Sequence, residues 1–330
     1  MTSISRKKPG AGCRMGKESN LAVLAGSGNP SLAESIAERL GIGLCRCAVT
    51  RFPDSELHVE LHDSVRACDL YVVQPTGPPV DGHLMELLLL ADAGRRAGAA
   101  RLTAVVPYFG YARQDRRAKG REAVPGRLVA DMLALAGFQR MVSIDLHTPS
   151  LEGFFSIPLE HLSATPLLAD SLDDSISDDA VIVAPDLGAV KLAEHYAQLL
   201  RRPMAITHKT RVSGSEVKVN GIVGEVRGRM PVLVDDMIST AGTIEAAARA
   251  LLAAGCRREI TVVASHALLV GPAVERLSAL PLKRLTVTDS LPLRQHGSLP
   301  ITTVSLAPML AETITRLNVG ESVNELLTHR

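Results

Sequence analysis

The sequence predicts an α/β protein whose parallel sheets are flanked by helices. Two observations carry that expectation. Short β-branched runs alternate with Ala/Leu-rich stretches of helical length almost from end to end, the pattern of strand–helix–strand units with buried strands. Several strands also run into Asp or Pro-Asp before a loop, and in open α/β sheets ligands gather at those C-terminal strand ends. The expected strands are 21–25, 70–74, 102–107, 141–145, 181–185, 231–235, 260–264 and 285–288. Helices are expected at 31–40, 84–97, 127–135, 190–200 and 244–254. Gly41, Gly98, Gly137 and Gly255 stand just past helical runs, where a left-handed cap is expected. The polar stretch 170–179, with five aspartates and three serines, reads as a domain junction or an exposed loop.

A chain of 330 residues fits two domains of ordinary size, and a hydrophobic content of 46% suffices for a sizeable core. The 36 basic and 35 acidic residues leave a formal net charge of +1. No global field therefore recruits nucleic acid or an anionic membrane, and any anion site must be local. No apolar run reaches the ~18–20 residues needed to span a bilayer. Residues 1–19 are polar and basic without an apolar core, and read as a disordered tail rather than a signal peptide. The five cysteines (Cys13, Cys45, Cys47, Cys68 and Cys256) include no CxxC pair. That argues against a disulfide framework or a zinc ribbon and makes a reducing cytoplasm the expected setting.

The most informative segment is VLVDDMISTAGTIEAA, residues 232–247. A short apolar strand runs into Asp235 and Asp236, then into the small loop Ser239-Thr240-Ala241-Gly242-Thr243, then into an Ala-rich helix. A hydroxyl-rich loop opening a helix directs backbone N–H groups and the helix dipole at a phosphate. The acidic pair suits sugar hydroxyls or a bridging metal. A capped helix start with Thr243 as N-cap is the bland alternative, and it leaves the two carboxylates unexplained. This segment resembles the phosphoribosyl-diphosphate loop shared by type I phosphoribosyltransferases and ribose-phosphate pyrophosphokinases, and alone it does not choose between them.

A second segment separates the two families. Three of the chain's nine Phe and Tyr residues stand between Tyr108 and Tyr111, followed by Arg113 and Gln114. Rings, charge and an amide together suit a nucleotide, whereas packed rings before a solvated basic loop would be purely structural. PYFGYARQDR closely resembles the ATP-binding signature of the ribose-phosphate pyrophosphokinases, which the transferases lack. By that resemblance Arg113 and Gln114 contact ATP, and 116–125 forms a mobile loop over the phosphates. RFPDSE, residues 51–56, resembles the family's adenine hairpin, in which Phe52, Asp54 and Glu56 reach into a neighbouring subunit's site. SIDLH, residues 143–147, resembles its metal and nucleotide strand end. His147 is thereby implied in binding both ATP and metal, and Asp186 of APDLG is the second metal position. In THKTR, residues 207–211, side chains at i and i+2 share a side. From spacing alone this is an ordinary basic stretch; the resemblance makes Lys209 and Arg211 the catalytic pair.

The resemblance runs from about Asn20 to Leu326, with the motifs in the family's order. It implies two related type I phosphoribosyltransferase-like domains, 20–163 joined by 309–330 for ATP and 164–308 for ribose 5-phosphate, with the active site between them. It further implies a Mg²⁺-dependent transfer of diphosphate from ATP to ribose 5-phosphate. Asp235, Asp236 and residues 239–243 would hold the ribose phosphate, in a homo-oligomer that is at least a dimer and by resemblance a hexamer. A non-catalytic regulatory homologue would have lost His147, Asp186, Lys209 and Arg211, all of which are present. Several positions depart from the family pattern, among them Ala118, where an acidic residue is frequent, and the run 305–309. Ser55 and Ala241 stand where glycine is common, and Ser239 where aspartate is. If the backbone at Ala241 needs positive φ, its Cβ costs ~1 kcal/mol.

Three patterns are rejected. GSGNPS, residues 26–31, lacks the third glycine of GxGxxG and reads as a tight turn. No GxxxxGK[ST] motif occurs. His58 and His62 alternate along a strand rather than sharing a helix face, so zinc is not expected there.

Overall fold

The computed structural model describes residues 20–173, 175–211, 217–293 and 296–327; the expected tail at 1–19 lies outside them. The chain divides into two compact units. One comprises the chain up to Ser143 with Thr148–Glu160 and Ala307–Leu326; the other comprises Ile144–His147, His161–Leu306 and the residues from Leu327 onward.

The first unit opens with β1 (Leu21–Ala25) and α1 (Pro30–Arg39), then an antiparallel hairpin of β2 (Cys47–Arg51) and β3 (Leu57–Leu61). It continues through β4 (Asp69–Val73), α2 (Val80–Arg96), β5 (Arg101–Val106), α3 (Pro125–Ala136), β6 (Arg140–Ile144) and β7 (Leu159–Leu162), with Ile144 of β6 and the end of β7 from His161 onward falling to the second unit. The five-stranded sheet has the order β1-β4-β5-β6-β7, and β1, β4, β5 and β6 pair in parallel. Every residue of β4 is buried, which is why Leu70–Val73 do not alternate with polar residues. Asn29 accepts from the Leu32 N–H and caps α1, with Pro30 at its first position, the pairing favoured at helix starts.

The second unit has the larger sheet. It holds α4 (Thr165–Asp173), β8 (Ala180–Ala184), α5 (Val190–Leu200), β9 (Met204–Arg211), β10 (Val217–Val223), β11 (Met230–Ile238) and α6 (Gly242–Ala253). Then come β12 (Ile260–Ala267), α7 (Ala273–Ser278), β13 (Leu282–Thr288) and β14 (Ile301–Val304). Its sheet runs β10-β9-β8-β11-β12-β13-β14, antiparallel only between β9 and β10. The last helix, α8 (Ala307–Val319), belongs to the first unit.

Two expectations are corrected. The 170–179 stretch is neither a junction nor simply a loop. Its first part is the end of α4, which buries Leu168, Ala169 and Leu172, and the unit boundaries fall elsewhere. The strand expected to stop at Asp235 runs on to Ile238, because β12 also extends and pairs with it through Met237↔His266 and Ile238↔Ala267. No helix among the described residues is long and apolar enough to cross a membrane.

Candidate active site

The second unit gathers four of the expected residues. His147 follows the end of β6, Asp186 follows β8, and Asp235 and Asp236 lie on β11. The His147 ring nitrogen Nδ1 is 2.7 Å from Asp236 Oδ2. The Asp236 N–H donates to Asp235 Oδ1 at 3.0 Å, and the Met237 N–H donates to Asp236 Oδ1 at 2.9 Å. Asp186 Oδ1 accepts from the N–H groups of Gly188 and Ala189 at 2.8 and 3.3 Å, which closes a short turn and fixes the carboxylate. Burial drives the Asp235 carboxyl well above the usual range, and the negative charges of Asp236 and Asp186 push it further. Burial also pushes Asp236 upward, but the hydrogen bond and charge of His147 outweigh it and hold Asp236 below the usual range.

The loop 239–243 leads from β11 into α6, whose first residue is Gly242. Ala241 occupies the cap position in a left-handed conformation, φ 58° and ψ 9°, and no side chain caps the helix; Thr243 is therefore inside the helix and is not its N-cap. The carbonyls on the approach are engaged, since Arg276 Nη1 donates to Thr240 O at 3.0 Å and the Val270 N–H donates to Ser239 O at 3.0 Å. Arg276 also pairs with Glu245 in the first turn of α6, 3.2 Å away. The helix thus opens with its positive end at Thr240–Thr243, a ready anion site.

Lys209 and Arg211 lie on β9, but their side chains are outside the described part. The backbone that carries them is anchored. Thr207 Oγ1 donates to Ala184 O at 3.3 Å and to Pro185 O at 2.8 Å, the two residues before Asp186.

In the first unit, Phe52, Asp54 and Glu56 sit in the turn of the β2–β3 hairpin. Phe52 is 50% exposed and its ring lies 5.3 Å from that of His58. The Phe52 N–H donates to Glu56 O, and the Glu56 N–H donates to Asp54 Oδ1. Beside the hairpin is an open groove of about 590 Å³, lined by Arg51, Glu56, Leu57, Asp81 and Met85 among others. Arg113 and Gln114 are exposed on the loop after β5. The aromatic run before them differs from expectation. Tyr108 and Phe109 are 4% and 2% exposed, and Phe109 packs on Phe155, so these rings are core and offer no face for stacking. Tyr111 is the exception, half-buried and donating its hydroxyl to Asp81. Gly110 is required by close approach, since an added Cβ would lie 2.5 Å from Thr76 O.

The GSGNPS loop is closed to phosphate. The Ser27 N–H donates to Glu86 Oε1 at 2.6 Å, Ser27 Oγ donates to Glu86 Oε2, and the Gly28 N–H donates to Gln74 Oε1 at 2.8 Å. His58 lies on β3 and His62 just beyond its end, as the alternation indicates.

Residues 21–137 match the family model described as the N-terminal domain of ribose phosphate pyrophosphokinase, and residues 214–328 match the phosphoribosyl synthetase-associated domain. The chain is 44% identical over 311 residues to the ribose-phosphate pyrophosphokinase of Caldanaerobacter subterraneus subsp. tengcongensis, covering 94% of this chain and 98% of that protein. The chain belongs to the ribose-phosphate pyrophosphokinase family. The Bacillus subtilis member is 41% identical over 312 residues, with the same coverage of 94% and 98%. The crystal structure of phosphoribosylpyrophosphate synthetase from Mycobacterium smegmatis superposes with a TM-score of 0.86 at 38% identity, covering 91% of this chain and 99% of that one.

Within this pyrophosphokinase two of the departures fall at strained backbone, for Ser55 has φ 77° and Ala241 φ 58°. At Ser55 the exposed side chain returns nothing for that strain, whereas the Ala241 methyl is packed in the core of the second unit. Ser55→Gly is expected to raise stability by ~1 kcal/mol and the melting temperature by about 2–4 °C, read by calorimetry.

Motif reading left out a buried polar group beneath the strand ends. His266 is 2% exposed and Ser265 likewise; Asp145, with φ 36°, accepts from Ser265 Oγ and from the Ala164 N–H. Burial pushes the His266 imidazole below its ordinary value despite the charges of Asp145 and Asp236. The available signal was Ser-His at the end of an apolar strand, where nothing local satisfies either side chain.

Proposed function

We propose that this chain transfers the β,γ-diphosphoryl group of MgATP to the 1-hydroxyl of ribose 5-phosphate, giving 5-phosphoribosyl 1-diphosphate and AMP. The observation that carries the reading is the convergence in one unit of His147, Asp186, Asp235 and Asp236, on strand ends beside a helix start open to phosphate. The 1-oxygen forms a bond to the β-phosphorus while the bridging bond to the α-phosphate oxygen breaks. The bonding electrons leave with AMP, and the hydroxyl proton passes to water. No covalent enzyme intermediate is needed, so the protein aligns the reactants and stabilises charge.

The acidic group fits a divalent cation. Burial raises the Asp235 carboxyl and the charges of Asp236 and Asp186 raise it further, and a cation relieves that repulsion. Mg²⁺ keeps several waters and binds largely through substrate phosphates, so it asks few ligands of the protein. His147 and Asp186 would hold it, and it would neutralise phosphate charge. The loop 239–243 grips the 5-phosphate through helix N–H groups and hydroxyls, and Asp235 and Asp236 fix the ribose hydroxyls. Lys209 and Arg211 neutralise charge growing on the transferred group. Phe52, Asp54, Glu56, Arg113 and Gln114 bind ATP, the hairpin serving a neighbouring copy in a homo-oligomer of the cytoplasm.

Mixing the purified chain with ATP, Mg²⁺ and ribose 5-phosphate is expected to release AMP and 5-phosphoribosyl 1-diphosphate in equal amounts. Absence of AMP, with 5-phosphoribosyl 1-diphosphate consumed when a nucleobase is supplied, would assign the chain to base transfer instead.

A further inference from the structure

The segment that presents His147 is held by two histidines that no substrate reaches. Residues Ile144–His147 leave β6 through Asp145, whose φ of 36° is left-handed. Such a backbone persists only where its surroundings over-determine it. Here the Ile144 carbonyl, the Asp145 N–H and carbonyl, and the Leu146 N–H are all engaged. His266 Nε2 lies 3.2 Å from Ile144 O and 3.3 Å from Asp145 O. Carbonyls only accept, so Nε2 carries the proton, and in the neutral ring Nδ1 accepts from Ser290 Oγ at 2.9 Å. His161 does the reverse: its Nε2 accepts the Leu146 N–H at 2.8 Å. The Asp145 N–H donates to Leu162 O at 3.0 Å, and the Asp145 carboxylate accepts from the Ala164 N–H at 3.1 Å and from Ser265 Oγ.

Both histidines are buried, at 2% and 4% exposure, so neither can touch ATP or ribose 5-phosphate. We propose that His266 and His161 are positioning residues. One gives and one takes a hydrogen bond, and together they lock the Ile144–Leu146 backbone so that the adjoining His147 meets Asp236 at 2.7 Å. The distribution of roles explains why imidazole is used at both places. Each ring must be buried, must present a single nitrogen to the backbone, and must have its other nitrogen satisfied elsewhere. The role in catalysis rests on the diphosphoryl-transfer reading; the geometric claim does not.

The test compares two kinds of replacement at each position. His266→Met and His161→Met keep bulk and lose the hydrogen bond. His266→Gln can still donate to the carbonyls, and His161→Gln can still accept from Leu146. The Met variants are expected to lose about 100-fold in kcat, the size of loss that follows a displacement of about 1 Å near the chemistry, with the KM for ribose 5-phosphate changed by less than about two-fold. The Gln variants are expected within about five-fold of wild-type kcat. A crystal structure of His266→Met is expected to place His147 Nδ1 beyond hydrogen-bond distance of Asp236. Wild-type kcat in the Met variants, or a kept His147–Asp236 bond, would overturn the proposal. Should His266→Met not fold, the Gln variants decide it: near-normal kcat in both supports the lock, and a ~100-fold loss in either ends it. The crystallographic separation is read without turnover. A wild-type protein inactive on ATP and ribose 5-phosphate would therefore remove the reaction and leave the lock to be judged on geometry.

Discussion

Lys209→Ala is expected to lower kcat by about 10²–10³-fold, the loss that follows removal of one preorganised donor to transition-state charge, while ribose 5-phosphate still binds. The two effects separate because the residues assigned to the ribose phosphate lie elsewhere, on β11 and at the start of α6. Lys209 rides on β9, two residues beyond the Thr207 hydroxyl that is tied to Ala184 and Pro185. That tie holds its backbone beside the turn carrying Asp186. Steady-state kinetics with calorimetric titration of ribose 5-phosphate make the measurement. Near-normal turnover would remove Lys209 from the chemistry.

Asp236→Asn is the second large effect, an expected drop of about 100-fold in kcat/KM for ribose 5-phosphate. The amide keeps the shape of the side chain but loses the carboxylate charge that meets His147 Nδ1 at 2.7 Å, and a hydrogen-bonding group whose partner is weakened is costly. A dependence on pH accompanies it. The folded carboxyl of Asp236 lies below its ordinary value, so its contribution to stability is present above the unfolded pKa of about 4. It is lost as pH falls through the folded value. The asparagine variant lacks that contribution, so the gap in melting temperature between the two proteins should narrow as pH is taken below about 4. A constant gap from pH 7 down to pH 3 would show that the pair contributes nothing through charge.

Much of the architecture was legible because parallel strands are apolar along their whole length. β1 and α5 lie where the pattern puts them, at Leu21–Ala25 and Val190–Leu200. Elements that depend on a partner were hidden. β9, with the sequence MAITHKTR, is held in place by pairing to β8 and β10 rather than by its own hydrophobicity. The end of β11 was misjudged for a related reason, since two carboxylates inside a strand look like its terminus until the neighbouring β12 is seen to extend alongside. α4 was obscured by its aspartates, although Leu168 and Leu172 mark a helical face. For the candidate site, motifs named His147, Asp186, Asp235 and Asp236, which the fold brings together in one unit, but the rings at 108–109, which the sequence offers for stacking, are core. The supports beneath the site were illegible, because His266 and Ile144 stand 122 positions apart and only the fold makes them neighbours.

The Gly26-Ser27-Gly28 turn shows how a chain can carry the shape of an anion cradle and still be deaf to anions. Its donors are met by Glu86 and Gln74, acceptors that arrive on the same polypeptide. A tethered acceptor has no dissociated state to be outcompeted from while the domain is folded; it acts at an effective concentration that can exceed any free phosphate by orders of magnitude. A nucleotide-rich solution therefore cannot load this turn. The loop at the head of α6 is built differently, for there no side chain of the chain serves as N-cap.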